Sequence, residues 1–147
     1  MSLKPLLLSL AIVFWASTGS AQGLLISRMQ CQANYQGVPF VGVFEVQLFQ
    51  YASAVPQGAA GLRQQLNLMI RRGQAAQIPG TLVLMGEFQG GGAIVHIEAP
   101  NMVGGQGTGG IVVNGQAHRA THATFYLVQG GVIARTEDGV QIQYVCQ

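Results

Sequence analysis

The side chains able to do chemistry are few, and the three histidines come first. His96 and Glu98 are two residues apart in an alternating segment and share one face of it; His118 and His122 share a face of another. Imidazole and carboxylate are ligands that zinc and copper take. At the ~3.3 Å rise of a strand, His118 and His122 stand about 13 Å apart and cannot hold one ion together. A metal site would therefore combine one of them with His96 and Glu98. That ligand set is thin, and solvated or hydrogen-bonded histidines account for the same residues. No cofactor is expected.

Other chemistries have less to draw on. Beyond residue 21 the serines are Ser27 and Ser53, neither within a nucleophile elbow, and the sole aspartate, Asp138, sits in a turn signal. A carboxylate pair for glycoside cleavage would have to come from Glu45, Glu87 and Glu98, which read as solvated strand faces. Gly105-Gln106-Gly107-Thr108-Gly109-Gly110 contains the letters of a dinucleotide-binding turn. Pro100 precedes it and the β-branched run Ile111-Val112-Val113 follows it, so it reads as a loop between strands rather than the entry to a helix. The residues point to a protein that is not an enzyme.

Arg63, Arg71 and Arg72 form the one basic cluster, suited to anionic lipid or an acidic partner if they line an exposed helix face, or to plain solvation. A nucleic-acid surface would need a dense basic stripe to displace counterions, and the remaining arginines are scattered.

Position along the chain sets the compartment. Lys4, the apolar run from Leu6 to Ala16 and the small residues Ser17 to Ala21 have the three-part layout of a secretory signal, with a cut at about Gln22. The apolar run is well short of the ~20 residues of a membrane span. Residues 1–21 are thus read as a signal peptide and 22–147 as a single β domain, exported to the periplasm or the extracellular space, without a transmembrane span after cleavage. What remains carries six arginines against five carboxylates, a formal +1. Cys31 and Cys146 lie near the two ends of this domain, and in an oxidising compartment they pair as one disulfide closing most of it.

The elements that must position these residues are mostly strands. Met29 to Tyr35 and Val140 to Cys146 alternate apolar and polar residues, and both cysteines fall on the apolar set. Pairing the two would bring Cys31 and Cys146 to the ~5.5 Å Cα separation that a disulfide prefers. Further strands are expected at about 40–51, 81–89, 93–99, 110–113, 116–128 and 132–136, with hairpin signals at Asn114-Gly115, Gly130-Gly131 and Asp138-Gly139. Leu62, Leu66, Met69 and Ile70 recur at helical spacing, which predicts one short helix over about 59–73, ended by Gly73. The fold class is mainly β, about eight antiparallel strands in a small barrel or a two-sheet sandwich.

Charged residues make up only 8% of the chain, against ~25% in typical domains. Such a surface resists association poorly and suits burial against a partner. The expected role is a non-catalytic interaction or structural module of the cell envelope, with a protein partner or envelope assembly. The alternative is a small barrel holding an apolar small molecule; a metal-binding protein or enzyme ranks behind both. If the signal is processed as read, N-terminal sequencing of exported protein should start within a few residues of Gln22, and a mature product retaining Leu6 to Ala16 would refute it.

Overall fold

The computed structural model describes residues 23–49, 59–114 and 120–147. The signal segment and His118 lie outside the described residues. The elements run β1 (Leu24–Tyr35), β2 (Val38–Phe49), α1 (Ala59–Arg71), a 3-10 turn (Ala75–Gln77), β3 (Thr81–Gly90), β4 (Ala93–Met102), β5 (Gln106–Val113), β6 (Thr121–Val128), β7 (Gly131–Thr136) and β8 (Gln141–Cys146). Each strand pairs antiparallel with the next, and β8 returns to β1. The fold is a closed up-and-down barrel, which decides between barrel and sandwich.

Alternation along the strands fills the interior. Phe44, Phe88 and Tyr144 are all but inaccessible and meet with ring centroids 5.0–5.1 Å apart. They fit because their inward neighbours are bare backbone. A Cβ on Gly86 would come within 2.6 Å of Phe44 Cε1, and one on Gly42 within 2.7 Å of Phe88 Cδ2. Small residues beside large ones let the layers of a narrow barrel interlock. The outward set of β1 and β8 is largely polar, with Gln30, Gln32, Asn34, Gln141 and Gln143 exposed beside Leu25 and Val145. Among the described residues, no helix is long and apolar enough to cross a membrane.

The glycine-rich segment 105–110 is a correction. Its residues from Gln106 onward belong to β5 and are not a loop. Gly107 and Gly109 lie flat against β4: a Cβ there would stand 2.8 Å from Met102 Cα or 2.7 Å from Ala99 Cα. Read as letters, the glycines suggest flexibility; in place, they permit a close approach of two backbones. β1 also begins earlier than its alternation suggests, at Leu24, because a register irregularity between Leu25 and Ser27 buries both Ile26 and Ser27 and breaks the period of two.

The helix is present but ends at Arg71, two residues before the expected stop. Gln74 N donates to Met69 O (2.8 Å) and Gly73 N to Ile70 O (3.1 Å), the paired bonds of a Schellman cap, with Gly73 in the left-handed region at φ +75°. Arg72 leaves the helix to bridge Gln129. Leu66 and Ile70 enter the core. Ser27 Oγ donates to Asn67 Oδ1 (2.7 Å), and the Arg71 guanidinium donates to the Arg28 carbonyl (2.9 Å). Gly130 N donates to Arg71 O (3.2 Å), so α1 spans from the early part of β1 to the β6–β7 turn.

β1 and β8 meet over a short seam. Their register partners are Cys31↔Cys146 and Gln32↔Val145. Gln30 and Gln147 exchange both backbone bonds beside them. The cysteines are bridged as expected, with Cα atoms 4.0 Å apart, nearer than the separation anticipated. They occupy the position between hydrogen-bonded pairs, where antiparallel backbones approach most closely. Tyr35 and Tyr144 join hydroxyls across the seam, and burial raises both phenol pKa values, so the pair stays protonated.

Replacing both cysteines with alanine should lower unfolding free energy by roughly 2 to 5 kcal/mol while leaving strand order unchanged. Denaturant titration measures the loss, and an unchanged midpoint would show that closure does not rest on the bridge.

Candidate functional site

With the interior filled, the chemistry-bearing side chains stand on the outer wall. One row crosses six strands in register: Arg28, Glu45, Met85, Glu98, Gly110 and His122. A parallel row places Glu87 opposite His96. Each of these positions is outward because it alternates with a buried one, as Glu98 does with Ile97 and Ala99. Glu137 extends the first row, its N–H bonding the His122 carbonyl (3.2 Å).

These rows line a broad, open depression that gathers four of the chain's five acidic residues, Glu45, Glu87, Glu98 and Glu137, with two arginines, Arg28 and Arg135. Four glutamates against two arginines give the depression a formal −2, counting histidine as neutral, on a chain of formal +2. Arg28 Nη1 pairs with Glu45 Oε2 at 2.7 Å, its side chain largely exposed. Such a pair contributes at most about 1 kcal/mol. Arg135 lies over the Tyr126 ring at 5.6 Å and bonds Gln141 Oε1 at 3.1 Å. The depression is solvated, and its charged groups offer hydrogen bonds and electrostatic contact to something laid against the wall.

The two described histidines, His96 and His122, do not converge. Glu98 and His122 flank Gly110, over which nothing lies within 4 Å of a hypothetical Cβ. Two strand spacings, ~9.6 Å of backbone, separate them, and side chains on a convex wall diverge. His96 faces Glu87 in the neighbouring row. Among the described residues, no three His, Cys, Asp or Glu side chains form a group that could hold a metal ion.

The basic cluster is divided. Arg63 and Arg72 are exposed, whereas Arg71 is half-buried, its Nε on Asn67 Oδ1 (3.2 Å) and its Nη2 on the Arg28 carbonyl. Arg71 thereby ties α1 to β1. Neither the tyrosine pair across the β1–β8 seam nor the gathering of glutamates in one depression was visible in the local pattern of the sequence. Inward position was readable for Tyr144 from alternation, but its partner 109 residues away was not.

Replacing His96, His118 and His122 together should leave folding largely intact; at the two described positions, both exposed, each change should cost no more than about 0.5 kcal/mol. A stoichiometric metal in the protein from its own host, lost in this triple variant, would overturn the reading. Compared with known proteins, the chain matches no family model, and no curated protein or solved structure proves similar to it.

Proposed function

We propose that the protein is a non-catalytic interaction module of the cell envelope, exported under the direction of its N-terminal segment to a periplasmic or extracellular site where its disulfide forms. The observation that carries this reading is the division between inside and outside. Phe44, Phe88, Phe125 and Tyr144 fill the barrel, while the glutamates and the described histidines stand on an open wall. A ligand carrier needs an enclosed apolar cavity, and the packed aromatic centre gives that alternative less support. Catalysis at pH 7 draws on buried or strongly coupled groups, and the wall's carboxylates are solvated. The wall suits a partner of comparable size that covers part of it.

Native mass spectrometry of protein purified from its own host tests this. A macromolecular adduct is the expected result. A tightly held small molecule in place of one would favour the carrier reading and sink this proposal.

A further inference from the structure

The nucleophilic side chains not yet placed are those that carry sulfur. Thiols and thioethers are open to attack by peroxides, and exposure decides which of them react. Both cysteines are bridged, and none is free among the described residues. That leaves the methionines. Beyond the signal segment there are four, Met29, Met69, Met85 and Met102, and all of them are described.

Their surroundings differ sharply. Met29 and Met102 are 2% and 0% exposed and belong to the core, while Met69 on α1 is half-buried against it. Met85 is 43% exposed. It faces out of the wall because it follows Leu84, which is fully buried, in the alternation of β3. Its register partners on the two flanking strands are Glu45 and Glu98, and it lines the broad depression.

We infer that Met85 is a site of selective, reversible oxidation by uncharged peroxides. The thioether lone pair attacks one peroxide oxygen, the O–O bond breaks and an S–O bond forms. The proton of the new S–OH group passes to the departing hydroxide, which leaves as water. Sulfur loses two electrons and the peroxide gains them. Hydrogen peroxide is neutral, so the formal −2 of the depression does not repel it. The sulfoxide is polar and chiral but carries no charge. It puts a hydrogen-bond acceptor in the row between two glutamates, where the thioether offers an apolar contact. A partner on the wall would meet a different surface after oxidation, yet the reaction itself needs no partner. Reversal takes a methionine sulfoxide reductase for each epimer and a dithiol, which becomes a disulfide as the sulfoxide oxygen leaves as water.

Peptide mapping of the exported protein during hydrogen peroxide treatment tests this. Met85 should gain one oxygen at least about tenfold faster than Met29 and Met102, which react only when the core opens, with Met69 between. In denaturant the four should react at similar rates. The two reductases with a dithiol should return Met85 to the thioether. Met85→Leu should remove the fast event and leave the slow ones unchanged. Protein oxidised at Met85 alone should keep its near-ultraviolet circular dichroism. Equal rates at the four methionines of the folded protein, faster oxidation of Met69, or a sulfoxide that the reductases leave in place would overturn the inference. So would loss of the folded signal on oxidation of Met85 alone, because the side chain would then belong to the packing. Should Met85→Leu fail to fold, the site-by-site rates in the native chain decide. Oxidation at Met85 as expected in a protein that binds no macromolecule refutes the interaction-module reading and leaves this site intact.

Discussion

A meander of eight strands becomes a barrel only if its ends meet, and here the meeting of β1 with β8 is the narrowest join in the molecule. β1 pairs with β2 along the whole of Leu24 to Tyr35, but with β8 only around Cys31 and Gln32. Three different contacts share the closure. The disulfide sits at the centre, the Tyr35–Tyr144 hydroxyl pair lies toward the hairpin end, and α1 covers the part of β1 that extends beyond β8. Because the bridge spans 115 residues, its main effect in the chain-entropy view is on the unfolded ensemble, worth roughly 4 to 5 kcal/mol.

Closure also constrains the interior. A narrow barrel cannot place a large side chain at every inward position, and this one alternates glycine with aromatics: Gly42 before Phe44, Gly86 before Phe88. The contacts are cross-strand, so the glycine on one strand makes room for the ring on its neighbour. This arrangement also fills the interior with apolar side chains. With Phe44, Phe88 and Tyr144 meeting at the centre, polar chemistry is left to the outer wall, where register brings together glutamates that are distant in the chain.

The outer wall is uneven in character. The broad depression concentrates carboxylates, while a smaller one over β8 and the later part of β1, lined by glutamine, asparagine and valine, carries no formal charge. Few charged residues are available in this chain, and the fold places most of the acidic ones on one side.

The period-two alternation of β8 and of β1 from Met29 onward, the helical spacing of Leu66 and Ile70, and the glycine at the helix stop were local signals, each expressed within a few residues. They determined a mainly β chain of about eight strands, one short helix and a pair of inward cysteines. What depends on two distant segments was not legible. Barrel rather than sandwich was decided by β8 reaching β1. The role of Gly107 and Gly109 was set by the approach of β4, and Arg71 was drawn from a basic cluster into a bond with the Arg28 carbonyl by the docking of α1. The histidines likewise shared faces in the sequence, but strand order placed Gly110 between Glu98 and His122. Alternation fixes which side of a strand a residue occupies; only pairing and register, which are long-range hydrogen-bond choices, fix which residues stand beside it.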